Sequence, residues 1–168
     1  ILGVGVLIRG ESGIGKSEAV LALIERGYSL VADDITKVTL IDNQHVVGTS
    51  HETTRNLMEI RGIGIIDVAA MFGVRSVTRE KQINLVVTLV HWDKAQTIDR
   101  LGLDEETTDI LGVHIPHIVI PVRPGRDMGR LIEVAAFQTK LKMSGIHSAQ
   151  ALSERLMEKM TRDRDSHA

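Results

Sequence analysis

Apolar residues follow two rhythms along this chain. The run Val4-Gly5-Val6-Leu7-Ile8 is nearly continuous, as in a strand buried on both faces, and Glu18 to Glu25 behind it fits a helix that Gly27 would stop. Ser29-Leu30-Val31-Ala32 predicts a short buried strand ending on Asp33-Asp34. Lys37 to Ile41 and His45 to Val47, joined by Asp42-Asn43-Gln44, predict a hairpin. The polar stretch Gly48 to Asn56 predicts a loop or the start of a short helix. Leu57 to Arg61 alternates apolar and charged residues until Gly62-Ile63-Gly64 breaks the pattern. Asp67 to Phe72 predicts a short helix closed by Gly73, and Arg75 to Thr78 a strand. The strongest apolar run, Ile83 to His91, predicts a buried strand, whereas Asp93 to Leu111 is polar and reads as loop. Val113 to Val122, with Pro116 inside it and Pro121 near its end, predicts an edge-type strand. Gly129 to Met143 fits a helix with apolar positions Leu131, Ile132, Val134, Ala135 and Leu141. Ala149 to Arg162 fits another, with Leu152, Leu156 and Met157 inward, and the charged tail Arg162 to Ala168 is expected to fray.

Strands outnumber helices and several sit in hairpins. The pattern therefore predicts an α/β domain, a mixed β-sheet core with flanking helices, rather than a plain βαβ array. No internal repeat, low-complexity segment or linker divides it, so 168 residues are expected to form a single domain, 1–168. The first residue is Ile, already at a strand edge, so a fragment with an upstream part missing is expected.

Composition narrows the function classes. Lys plus Arg is 20 against 22 for Asp plus Glu, a net charge of −2. That gives no electrostatic footprint for nucleic acid or an anionic membrane surface. No apolar run approaches about 18 residues and no signal peptide is visible, so a soluble, cytoplasmic protein with neither nucleic-acid nor membrane partners is expected. With zero cysteines there are no disulfides or thiolate metal sites. Two Phe, one Tyr and one Trp make an aliphatic core, with little capacity to stack bases.

The candidate chemistry starts at Gly10-Glu11-Ser12-Gly13-Ile14-Gly15-Lys16-Ser17, a G-x-x-x-x-G-K-S string between a predicted strand and a predicted helix. In that context it reads as a P-loop. Its glycines let backbone N–H groups curl toward a phosphate, and the helix N-terminus adds partial positive charge there. Lys16 can reach the β- and γ-phosphates, and the Ser17 hydroxyl can ligate Mg²⁺. Phosphoryl transfer also needs a nucleophile deprotonated and charge neutralised. Asp33 and Asp34, at the predicted end of the next strand, can divide those tasks: one in the metal shell, the other accepting a hydroxyl proton. Adjacent carboxylates tend to raise each other's pKa, which suits a base. Glu59 and Arg61, two apart on a predicted strand face before Gly62, could reach the metal and a phosphate. Arg100 could place a guanidinium on the transferring group, and Arg123 and Arg126 flank Pro124-Gly125 in a basic loop that could hold a phosphate or a phosphorylated partner. The seven histidines form no metal pattern, and His114 and His117 are expected to be structural. Glu133 sits among apolar neighbours on a helix, with no role beyond that face.

With these residues in view, the chain resembles the C-terminal catalytic domain of bacterial HPr kinase/phosphorylase. The resemblance rests on the P-loop, Val31-Ala32-Asp33-Asp34, and Met58-Glu59-Ile60-Arg61-Gly62-Ile63-Gly64-Ile65-Ile66-Asp67, the most specific match. Asp99-Arg100-Leu101-Gly102, Ile120-Pro121-Val122-Arg123-Pro124-Gly125-Arg126 and Ile132-Glu133-Val134-Ala135-Ala136 follow in the same order. It implies a core like that of phosphoenolpyruvate carboxykinase and a hexameric assembly. The implied activity phosphorylates a serine of the phosphocarrier HPr with ATP (or pyrophosphate) and Mg²⁺. With inorganic phosphate it removes that group again, releasing pyrophosphate. The resemblance gives Lys16 the phosphates, Ser17 and Glu59 the metal, and Asp34, beside Asp33, the role of base forward and acid in reverse. It makes Arg100 catalytic, assigns the Met58–Asp67 region to both reactions, and ties Pro121 to Arg126 to dephosphorylation. The family's catalytic histidine precedes the P-loop strand, and none of residues 1 to 9 is His. Asp127-Met128-Gly129-Arg130 and Phe137-Gln138-Thr139 depart from the family pattern. Two other readings of the residues stand beside this one: a carboxykinase-like or small-molecule kinase, and a non-catalytic nucleotide-sensing module.

Overall fold

The computed structural model describes residues 1–94 and 105–165. In chain order its elements are β1 (Val6–Gly10), α1 (Lys16–Glu25), β2 (Thr36–Ile41), β3 (His45–Ser50), β4 (Leu57–Ile60), β5 (Gly64–Asp67) and α2 (Val68–Phe72). They continue with β6 (Glu80–Gln82), β7 (Leu85–His91), β8 (Thr107–Ile110), β9 (Val113–Val122), α3 (Met128–Met143) and α4 (Ser148–Asp165). Short 3₁₀ turns lie at Glu52–Thr54 and Val74–Ser76.

The central sheet has the order β1-β7-β9-β8, with β1, β7 and β9 parallel and β8 antiparallel to β9. A second sheet, β2-β3-β6, is antiparallel, and β4-β5 form a separate hairpin. The mixed α/β core is therefore as the pattern predicted. Strand β7 explains why its sequence is continuously apolar. Leu85, Val87 and Leu89 pack with Ala19 and Leu23 of α1 and Ile132, Ala135 and Ala136 of α3. Val86 turns the other way, onto Val46, Ile83 and Ile115, with Val38 and Leu40 of β2 beside them. A strand covered on both faces has no polar side to show.

The predicted hairpin is β2–β3, and Asp42 and Asn43 both hold positive φ in its turn, where Gln44 N–H bonds to the Ile41 carbonyl. These residues tolerate the left-handed region that such tight turns require. The predicted α2 is capped at its start by the Asp67 carboxylate, which accepts from Ala70 N–H at 2.9 Å.

Several elements differ from expectation. Ser29–Ala32 is not a strand: only Leu30 pairs, in a parallel bridge to Val77, through Leu30 N–H to the Ser76 carbonyl and Thr78 N–H to the Leu30 carbonyl. Its partner stretch is likewise a 3₁₀ turn and a single bridge rather than a strand over Arg75–Thr78. β6 and β8 were unpredicted, because Glu80-Lys81-Gln82 and Thr107 to Asp109 carry no apolar alternation. β9 stands between β7 and β8 in the sheet order, yet along its length it is edge-type, as expected. Its first half pairs with β8 and its second half with β7, so each half has one free side. His117 N–H points to β8, where it bonds the Glu106 carbonyl. By alternation Pro121 faces the same side beyond the end of β8, and Pro116 faces the β7 side before that pairing begins, so neither proline removes a ladder bond. In α3, Val134 and Leu141 face outward, while Glu133 is 5% exposed and points in. Leu152, Leu156 and Met157 of α4 are exposed rather than inward, and α4 continues through the predicted fraying point to Asp165. Among the described residues no helix is long and apolar enough to cross a membrane.

Gly5 marks the tightest joint between the sheets. A Cβ there would lie 1.7 Å from the Gln82 carbonyl oxygen, and the Gly5 carbonyl already accepts from Asn84 and Leu85 N–H. Gly5→Ala should therefore lower unfolding stability by about 3 kcal/mol through backbone displacement. Leu89→Ala, which leaves a cavity instead, should cost about 2–5 kcal/mol. Urea unfolding measures both, and an unchanged midpoint in Gly5→Ala would contradict the packing described.

Candidate phosphate-binding site

β1 delivers the chain to the C-terminal edge of the parallel strands, the end of such sheets where ligands bind. Gly10 stands opposite Leu89, and a Cβ on it would lie 2.9 Å from Ile14 Cγ2 and 3.0 Å from the Leu89 carbonyl oxygen. The loop then curls through Gly13 (φ +82°) and Gly15 (φ +108°), the latter directly before α1. No side chain caps α1 there, so the amides of its first turn keep their donors for an anion. Lys16 folds back across the loop, its Nζ donating to the Gly10 carbonyl at 2.6 Å and the Glu11 carbonyl at 3.0 Å. Glu11 points away, toward Lys94 (3.5 Å) and His91 (4.0 Å) at the end of β7.

The other predicted residues reach the loop from separate elements. After the Leu30–Val77 bridge the chain bends at Asp33-Asp34, so the two aspartates arrive on a bend instead of a strand end. Asp33 accepts the Glu59 backbone N–H at 3.0 Å, while Asp34 is exposed. Glu59 lies on β4, but Arg61 does not share its strand face: it begins the turn closed by Ile63 N–H to the Ile60 carbonyl. That turn carries the Arg61 guanidinium onto the P-loop, 3.1 and 3.2 Å from where a Gly13 Cβ would be. A side chain at Gly13 would have to hold φ +82° and push the guanidinium back by a few tenths of an ångström.

A cavity of about 1210 Å³ joins these parts, lined by Gly13, Lys16, Ser17, Asp33, Asp34, Glu59 and Arg61 among others. Lys81 of β6 also lines it, a cation that sequence reasoning missed because a lone lysine in a polar stretch carries no signal. Among the described residues no cluster of three or more His, Asp or Glu could hold a metal alone. Ser17, Glu59 and the two aspartates are hard oxygen donors around one cavity, which fits an ion that takes one or two carboxylates and completes its shell with phosphate and water.

The basic loop lies farther along the same sheet edge and is not part of that lining. Val122 stands opposite His91, Arg123 lies over the Trp92 ring (5.2 Å to its centre), and Arg126 Nη1 donates to the Pro121 carbonyl at 3.3 Å. Arg100 lies outside the described residues. His117 is structural, sharing a 2.7 Å hydrogen bond with the Thr88 hydroxyl.

Behind the basic loop, the Asp127 carboxylate caps α3 at Arg130 N–H (2.9 Å) and pairs with Arg26 at the end of α1 (2.6 Å). Those bonds, first the backbone one, hold its carboxyl below the usual carboxylate range. A depressed pKa contributes stability that is complete above the unfolded value of about 3.9 and is lost as pH falls through the folded value. The stability difference between the unaltered protein and Asp127→Ala should therefore be constant near neutrality and shrink below about pH 4. Chemical unfolding across that range measures it, and a gap that widened on acidification would contradict the assignment.

Comparison with known proteins places the chain in a family. The family model described as HPr Serine kinase C-terminal domain matches residues 1–156. HPr kinase/phosphorylase 1 of Oceanobacillus iheyensis is 47% identical over 156 residues, covering 93% of this chain and 50% of that protein. HPr kinase/phosphorylase of Bacillus cereus strain B4264 is 49% identical over 157 residues, covering 94% and 51%. The chain thus spans about half the length of these curated relatives. The solved structure of the Hpr(Ser) kinase/phosphatase from Coxiella burnetii superposes with a TM-score of 0.80 at 39% identity, covering 89% of this chain and 90% of that one. A P-loop faced by Asp33, Asp34, Glu59 and Arg61 across one cavity, together with these likenesses, shows that the chain belongs to the HPr serine kinase C-terminal domain family.

Proposed function

We propose that this chain is a single catalytic domain that phosphorylates a serine of HPr from ATP or pyrophosphate, and dephosphorylates it with inorganic phosphate to give pyrophosphate. The observation that carries this reading is the single cavity in which the P-loop faces Asp34 and Glu59.

Backbone amides of Gly10 to Ser17 and the Lys16 ammonium bind phosphates, which suits a site that must accept ATP, phosphate or pyrophosphate in turn. Lys16 is already held at the loop mouth by two carbonyls, so little reorganisation precedes binding. Ser17 and Glu59 would hold Mg²⁺, and Asp33 orients Glu59 through its backbone N–H. The ion would supply neutralisation of phosphate charge. Arg61 adds a guanidinium over the P-loop, and Arg100 is proposed as a further cation on the transferring group.

In the forward direction the serine oxygen attacks the γ-phosphorus, its proton passes to Asp34, and the bond to the leaving ADP oxygen breaks. In reverse a phosphate oxygen attacks the phosphoserine phosphorus. Asp34 then returns a proton to the departing serine oxygen, and pyrophosphate forms. The turn and hairpin of Met58 to Asp67 serve both directions, since they hold Glu59 and Arg61. Pro121 to Arg126, fixed at the neighbouring edge, would engage phospho-HPr and matter chiefly for dephosphorylation. A homo-hexamer in the cytoplasm, without nucleic-acid or membrane partners, completes the proposal.

Incubation with HPr, ATP and Mg²⁺ should add one phosphoryl group to HPr by mass, and added phosphate should remove it with release of pyrophosphate. Asp34→Asn should slow both directions by about 10²–10⁴-fold with unfolding stability unchanged. Unmodified HPr alongside rapid turnover of a metabolite would favour the small-molecule kinase. Nucleotide binding with no acceptor at all, and no effect of Asp34→Asn, would favour the sensing module.

A further inference from the structure

The β2-β3-β6 sheet walls more than the phosphate cavity. Gly48 of β3 and Lys81 of β6 are register partners and both line that cavity. One step along, the partners Lys37, Thr49 and Glu80 line a separate recess of about 670 Å³, where β3 runs out into the 3₁₀ turn. Ser50, Arg55 and Arg79 line it too.

Its polar groups are incompletely used. Ser50 is 7% exposed and its hydroxyl has no hydrogen-bond partner, and the Nε of half-buried Arg55 is also buried without an acceptor. A buried donor left unpaired costs folding free energy, and such groups ordinarily have a partner. Among the described residues, Lys37, Arg55 and Arg79 take part in no ion pair. Two exposed carboxylates, Glu52 and Glu80, share the rim, so the three cations leave one net positive charge. Both orphaned atoms can donate, and both call for an oxygen acceptor. A guanidinium and a hydroxyl lining one recess suit a carboxylate or phosphate group, which can accept from several donors at once.

We propose that this recess is a second oxyanion site, separate from the P-loop, that takes the phosphate or carboxylate group of a small molecule against Arg55 and Ser50, with Lys37 and Arg79 closing around it. The proposal does not depend on the reaction assigned to the main cavity.

Calorimetric titration of the whole chain with inorganic phosphate, without nucleotide or metal, tests it. Two phosphates per chain are expected. Lys16→Met should leave only the recess site and Arg55→Met only the P-loop site. Arg79→Gln, a change at an exposed side chain that spares the fold, should weaken the recess site by roughly tenfold. In Lys16→Met, acetate binding that is lost on adding Arg55→Met identifies a carboxylate site, and response to phosphate alone identifies a phosphate-ester site. A single phosphate per chain, lost in Lys16→Met and untouched by Arg55→Met and Arg79→Gln, would overturn the proposal.

Discussion

The phosphate cavity depends on the burial of β7 on both faces. Because α1 and α3 cover one side and the β2-β3-β6 sheet the other, β7 is held without freedom to slide, and its parallel pairing fixes β1 beside it. A one-residue slip would turn Val86 toward the helices and Leu85, Val87 and Leu89 toward the other core, and close packing on both faces resists that exchange. Gly10 consequently ends β1 opposite Leu89, and the P-loop begins at a defined height on the sheet edge. The same contacts set α1 behind the loop, since Ala19 and Leu23 belong to that core. The uncapped start of α1 at the cavity is thus a by-product of close packing: the helix must start where the sheet ends.

The opposing wall of the cavity is built from weaker, longer-range links. One parallel bridge, Leu30 to Val77, and one side-chain bond, Asp33 to Glu59 N–H, bring the acidic bend to the β4-β5 hairpin. Met58 and Ile60 anchor that hairpin in a second core with Ile24 and Val68, leaving Glu59 between them facing out. Strand alternation therefore separates anchoring residues from a chemical one within three consecutive positions.

A third set of contacts ties the basic loop to the P-loop helix. Gly129 lets α3 approach α1 so closely that a Cβ would lie 3.0 Å from Ala22 Cβ, and Asp127 bridges the end of α1 to the start of α3. Glu133, buried next to this crossing, pairs with Arg130. Burial, and then a hydrogen bond from Tyr28 to the Glu133 carboxylate, push the Tyr28 phenol up. The glutamate that sequence reading could place only on a helix face is thus a buried partner at the α1–α3 contact. Residues 127–130 lie at the same junction.

Much of this was legible in the sequence because it is local. The G-x-x-x-x-G-K-S spacing, the continuous apolar run of β7 and the Asp42-Asn43-Gln44 turn each follow from neighbouring residues and backbone preference. Asp33, Asp34, Glu59 and Arg61 could be nominated as chemical candidates, but not positioned. What only the tertiary structure decided was non-local. A single bridge stood where a strand was expected at Leu30, polar β6 was recruited by pairing and β8 by pairing together with burial of Ile110, and Pro116 and Pro121 were admitted inside a sheet whose neighbours change along β9. Above all, the fold laid Arg61 against Gly13. Residues 48 positions apart meet because two separate cores hold their elements, and pairing partners of that kind leave no periodic trace in either segment.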